Sequence, residues 1–201
     1  MGGSEDGAIM ARREPGRLNG IGFGTWAWGN QLVWGYQPER DDPLLEKTFH
    51  EAVRSGLRLV DTADSYGTGR LNGRSEVLLG RFVQALPATL QGELLVATKL
   101  APFPWRLGRR GLDRAFVASR DRLQGNLQRV QLHWSTARYA PWQEVSLLDG
   151  LADLVLSGAV RELGVPRAPG RRELLAEEAE AAQAREGRQE QEEDERPARR
   201  E

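Results

Sequence analysis

The chain has 201 residues, 28 basic and 29 acidic, for a formal net charge of −1, and 39% of it is hydrophobic. This balance excludes the basic footprint of a nucleic-acid binder or a polybasic membrane tether, while the apolar fraction is enough to bury a core. Cysteine is absent and His50 and His133 are the only histidines, which excludes disulfides, thiolate sites and a multi-histidine metal centre, so no metal is expected.

Residues 1–19 carry Glu5, Asp6 and Glu14 without an apolar stretch, and read as a flexible N-terminus rather than a secretory signal or transit peptide. No apolar run reaches the ~18–20 residues of a membrane-spanning helix. The expected location is therefore the cytosol, with a plastid as the alternative. From residue 20 to 165 short apolar runs alternate with amphipathic stretches. Ile21 to Thr25 predicts a strand, and Pro43 to Ser55 a helix burying Leu45, Phe49, Ala52 and Val53, with Gly56 as its stop. Leu57 to Asp61 predicts the second strand. Ser75 is expected to cap a helix through Ala85 that buries Val77, Leu78, Phe82 and Leu86. Strands follow at Leu94 to Lys99, Val130 to His133 and Val160 to Val165, separated by helices over Leu112 to Leu123 and Trp142 to Ser157. Strands separated by helices imply an α/β fold with a parallel sheet, either doubly wound or part of a (β/α)₈ barrel. Residues 166–201 hold eight arginines and eleven acidic residues, with no large aliphatic side chain after Leu175, and predict a disordered or frayed-helical charged tail.

Titratable residues stand at the ends of consecutive strands. Asp61 ends the second, Lys99 the third and His133 the fourth, and Tyr66 lies in the loop five residues beyond Asp61. Strand C-termini of a parallel barrel converge on one face, so these four groups are expected together. Lys99 is one of only two lysines, Lys47 being the other, in a chain otherwise served by arginine; its compact ammonium is one that Arg cannot imitate. A phenol with an ordinary pKa near ~10 is a reluctant acid at neutral pH, and an adjacent ammonium favours its anion. An Asp61 carboxylate would orient Lys99, and the His133 imidazole could orient a carbonyl oxygen or relay a proton. This set suits carbonyl reduction, with Tyr66 giving a proton to oxygen while a cofactor reduces the carbon.

These residues, together with Gly22-Phe23-Gly24-Thr25-Trp26, Arg74-Ser75-Glu76 and Leu132-His133-Trp134, resemble the aldo-keto reductases, and most of all their plant and algal pyridoxal-reductase-like subgroup. The resemblance covers about Gly20 to Val165. It implies a (β/α)₈ barrel, NADPH as cofactor, and a catalytic tetrad of Asp61, Tyr66, Lys99 and His133. It also places Gly24, Thr25, Trp26 and Asp61 beside the nicotinamide. Five of the six tryptophans follow predicted strands, and Trp28, Trp34, Trp105 and Trp134 are expected to wall an aromatic pocket for pyridoxal or another flat aldehyde. Gly67, Gly69 and Gly73 do not form a dinucleotide fingerprint, because Asn72 stands where the pattern needs Gly; they suit a tight loop around Tyr66.

The resemblance also marks a departure. Gly164-Val165 is followed by Pro166-Arg167, where the family continues with the Ser and Asn that hold the nicotinamide carboxamide. Only five strands are predicted, so a partial barrel, truncated after its fifth strand and of doubtful activity by itself, is expected. The alternative to an enzyme is a non-catalytic fragment or an interaction protein pairing its exposed sheet edges with a full-length homologue.

Overall fold

The computed structural model describes residues 21–136 and 140–164. The expected N-terminal segment 1–19 and charged tail 166–201 lie outside the described residues.

Five strands, β1 (Gly22–Gly24), β2 (Leu59–Asp61), β3 (Leu95–Leu100), β4 (Arg129–Leu132) and β5 (Glu162–Gly164), form one sheet in sequential order. Every adjacent pair is parallel. This sequential parallel order, with helical crossovers, is that of a (β/α)₈ barrel over five of its strands; the strand order of a doubly wound sheet would reverse. The helices are α1 (Gln31–Trp34), α2 (Pro38–Arg54), α3 (Arg74–Gln84), α4 (Ala88–Glu93), α5 (Gly108–Arg122) and α6 (Pro141–Leu156).

One face of the sheet makes the core. Phe23, Val60 and Val96 stand in register, as do Thr98 with Val130 and Leu100 with Leu132, and the helices cover this face. Phe49 of α2 and Phe82 of α3 are fully buried there with Leu78 and Leu79. Gly80 lets α3 approach α5, since a Cβ would come within 2.4 Å of the Arg122 carbonyl oxygen.

Three boundary expectations and one burial expectation need correction. Helix α2 begins at Pro38, a turn before the expected Pro43: Pro38 takes the first-turn position that needs no N–H, and Asp41 accepts from the Gln37 N–H at 2.8 Å, leaving Pro43 inside the helix. Helix α5 likewise starts at Gly108 rather than Leu112. Ser75 does not cap α3; Gly73 does, with φ +78°, and Ser75 is buried in the first turn with its hydroxyl against Thr25 and Thr62. Val77, expected in the core, is 38% exposed because it shares a helix face with Arg81 and Gln84. Neither α1 nor α4 has a counterpart among the expected elements.

Candidate active site

Because side chains alternate along a strand, the face opposite the core carries Gly24, Asp61, Ala97, Lys99, Arg129, Gln131, Glu162 and Gly164. Asp61 is paired with Gly24 on one side and Ala97 on the other, and Lys99 with Gln131. The structure brings all four tetrad candidates together at the C-terminal end of this face. The Lys99 ammonium forms an ion pair with Asp61, and donates to the Thr62 carbonyl at 3.3 Å and to the Tyr66 hydroxyl at 3.5 Å. His133, one residue past β4, meets the Tyr66 ring edge-on at 5.7 Å and 76°.

Tyr66 is aimed by the loop that follows β2. Its N–H bonds to the Ala63 carbonyl at 3.2 Å, and its own carbonyl accepts from the Gly73 N–H at 2.9 Å. The fold back requires Gly67, whose φ is +113° and where a Cβ would come within 1.9 Å of the Leu71 carbonyl oxygen.

Electrostatics act in opposite directions on His133 and Tyr36. Burial, and secondarily the Lys99 charge, pull the His133 imidazole down to about 4 against a modest opposing pull from Asp61, so the ring is neutral at pH 7. Tyr36 differs from Tyr66 in its partners. It is buried, donates to Asp42 and is pushed up to about 12 by burial and that carboxylate, with Arg74 opposing. Tyr66 instead receives its hydrogen bond from a cation.

The residues expected beside a cofactor cluster at the end of β1. Thr25 is fully buried; its N–H and hydroxyl both bond the Asp61 carbonyl, at 3.0 and 3.3 Å, tying the two strand ends together. Trp26 is half exposed and meets Trp34 edge-on at 5.9 Å. Of the expected aromatic wall, Trp134 lies against His133 at 4.9 Å, and Trp105 joins it through Phe103, which stacks on Trp105 at 4.7 Å and meets Trp134 edge-on at 5.8 Å. Trp34 belongs to the separate pair with Trp26. Trp28 does not belong to any wall: it is 7% exposed and packs edge-on against Phe49 and Phe82 in the helix-side core.

Four further residues escape sequence reasoning. Gln131 donates to the second Asp61 carboxylate oxygen at 3.4 Å, and only its place two residues before His133 hinted at this face. Ser65 bonds His133 Nδ1 at 3.1 Å. Asp64 is buried, accepts from the Ala101 N–H at 3.1 Å and pairs with Arg106. Burial raises its carboxyl pKa despite that partner. Arg106 also donates to the Ala101 carbonyl at 2.8 Å and covers the Phe103 ring at 4.9 Å, so the pair anchors the loop carrying Phe103 and Trp105. Among the described residues no group of three or more His, Asp or Glu side chains could hold a metal ion.

The site thus offers a phenol, an ammonium and a neutral imidazole to one patch beside an aromatic wall, a set suited to protonating a carbonyl oxygen. Comparison with known proteins identifies relatives of the chain. The model of the Aldo/keto reductase family matches residues 20–177, twelve residues beyond the Val165 limit expected from the motifs. The chloroplastic pyridoxal reductase of Arabidopsis thaliana is 54% identical over 155 residues, covering 75% of this chain and 42% of that protein. The 6-dehydroglucose reductase of Novosphingobium aromaticivorans is 34% identical over 154 residues, covering 73% of this chain and 48% of that protein. A mutant of Gox0644 solved in complex with NADPH superposes with a TM-score of 0.50 at 28% identity, over 72% of this chain and 43% of that one. The chain therefore spans less than half the length of these relatives.

Proposed function

The chain belongs to the aldo/keto reductase family, and on that premise we propose that it reduces an aldehyde to an alcohol with NADPH, with pyridoxal or another aromatic aldehyde as substrate. The observation that carries this reading is the Lys99 ammonium, held by Asp61 and within 3.5 Å of the Tyr66 hydroxyl. The name of the Arabidopsis relative supports pyridoxal, and the bound NADPH of the Gox0644 mutant supports the cofactor.

The residues at the end of β1 fit a flat nicotinamide ring. A Cβ at Gly24 would meet only the Asp61 carbonyl oxygen, at 4.0 Å, so that strand end is open beside the tetrad, with Trp26 half exposed next to it. Gly24, Trp26 and Asp61 would hold that end of the cofactor, whereas Thr25, expected there too, is fully buried with its hydroxyl committed to Asp61 and Ser75 and instead ties the strand ends together behind them. NADPH, when bound, supplies the hydride that reduces the carbonyl carbon. Tyr66 gives its proton to the carbonyl oxygen as negative charge develops there, and Lys99 stabilises the phenolate left behind. Asp61 keeps Lys99 in place, with Gln131 holding the other carboxylate oxygen. His133, neutral at pH 7, is available to orient the carbonyl without adding a charge. Phe103, Trp105 and Trp134 offer stacking surface to an aromatic substrate.

Mixing the chain with NADPH and pyridoxal is expected to consume one NADPH per alcohol formed; a folded chain that consumes none with pyridoxal or any aromatic aldehyde overturns the proposal. A second reading, pairing with a longer homologue, draws on the outer edges of β1 and β5, which have no strand partner among the described residues. Co-elution with such a homologue would favour it, and a separate monomer peak would sink it. No described helix is long and apolar enough to cross a membrane. We place the protein in the cytosol, with the plastid as the alternative that the Arabidopsis relative's name supports.

A further inference from the structure

We infer that Ser65 is a positioning residue that sets the tautomer of His133, donating its hydroxyl proton to Nδ1 so that the ring hydrogen stays on Nε2. The choice of tautomer rests on the proposed reduction, but it can be measured on the chain without turnover.

Three observations converge. The Ser65 hydroxyl lies 3.1 Å from Nδ1, so that nitrogen is engaged and Nε2 is the one left for a ligand. The ring is held between Tyr66 at 5.7 Å and Trp134 at 4.9 Å, which opposes a flip that would exchange the two nitrogens. Ser65 itself is fixed between anchored neighbours. Asp64 is tied to the Ala101 N–H and to Arg106, and Tyr66 closes the turn onto the Ala63 carbonyl. The turn that aims the phenol of Tyr66 therefore also aims the hydroxyl of Ser65.

The chemistry then selects a direction. The charged groups acting on His133 are Lys99 and Asp61, and burial keeps the ring neutral. A neutral imidazole has one N–H, so the hydrogen bond made by one nitrogen decides what the other offers. If Nδ1 carried the hydrogen and donated to Ser65, Nε2 would present a lone pair, which repels a carbonyl oxygen. With Ser65 donating, Nε2–H becomes a donor for that oxygen, adding a second hydrogen bond beside the Tyr66 hydroxyl. A hydroxyl can play either role in general, but only the donating one completes a site for carbonyl reduction.

Nitrogen-15 spectroscopy of histidine-labelled protein at neutral pH tests this directly, because the chain has just two histidines. His50 is an internal reference: its Nε2 lies 3.1 Å from the Phe82 carbonyl, which can only accept, so that nitrogen carries the hydrogen. Wild-type His133 should show a protonated Nε2 and a bare Nδ1. Ser65→Ala should mix in the other tautomer and leave His50 unchanged, and Ser65→Thr should restore the wild-type pattern. In turnover, Ser65→Ala should lower kcat about tenfold with little change in KM, with recovery in Ser65→Thr. A protonated Nδ1 in the wild type, or a His133 signal indifferent to Ser65→Ala, overturns the inference, and the wild-type spectrum decides the first even if a variant fails to fold. The expected tautomer shift without any aldehyde reduction would defeat the reductase reading and leave the role of Ser65 standing. Turnover with an unmoved tautomer would do the reverse.

Discussion

The two faces of the sheet are built from the same strands and differ in almost every respect. On the helix side Val60, Val130, Leu100 and Leu132 are between 0 and 1% exposed, and Phe49 and Phe82 belong to the same buried core. On the other side stand Asp61, Lys99, Arg129, Gln131 and Glu162, partly solvated and paired among themselves. Alternation with period two assigns each residue to one side, so neighbours such as Val60 and Asp61 serve different purposes one position apart. The apolar face supplies stability through buried area; the polar face retains charges that a dry core could hold only at high cost. Stability and chemistry therefore should be separable by substitution.

Phe82→Ala, on the core face, should show the largest effect, a loss of about 3–5 kcal/mol in denaturant unfolding. A loss below about 1 kcal/mol would mean the helix layer is not packed as described. Lys99→Met, on the other face, should lower aldehyde turnover at least ~100-fold, equivalent to about 2.7 kcal/mol of barrier, with little loss of stability. Equal damage to folding would erase the distinction between the faces. Trp105→Ala is expected to raise KM for aromatic aldehydes several-fold while sparing aliphatic ones. An equal rise for both would remove the stacking role. The smallest effect concerns pH. The His133 imidazole is held down to about 4, so between the ordinary value of 6.5 and 4 the unfolded chain takes up a proton that the folded chain refuses. Stability is retained above that window and falls as pH drops through it. Unfolding midpoints at pH 7 and 4.5 should therefore converge in His133→Asn, by about 1 kcal/mol after solvent screening.

The meeting of Asp61, Lys99, His133 and Tyr66 is legible in the sequence because the first three mark the ends of apolar runs, Tyr66 lies in the loop that follows one of them, and strand ends of parallel units share one face. The sequence pattern locates the five strands to within two residues for the same reason, Val165 lying outside the described residues. Helix starts were harder: Pro38 and Pro43 both satisfy the rules for a first turn, and only the Asp41 bond to Gln37 decides between them. Ser75 reads as a cap by local chemistry, yet its hydroxyl is claimed by Thr25 and Thr62, fifty and thirteen residues away in sequence. Trp26 and Trp28 illustrate the same limit, since one turns outward and the other inward within a single tight turn. The supporting contacts of Ser65, Gln131 and the Asp64–Arg106 pair have no local signature, because each is made by chain segments brought together only on folding.

The most direct measurement is a comparison of wild type with Tyr66→Phe, following NADPH oxidation with pyridoxal alongside fluorescence titration of NADPH binding. Removal of one hydroxyl should cut turnover at least ~1,000-fold and leave cofactor affinity unchanged. Undiminished turnover in Tyr66→Phe would contradict the assignment of the proton to this phenol, and with it the gathering of the four groups around one carbonyl oxygen.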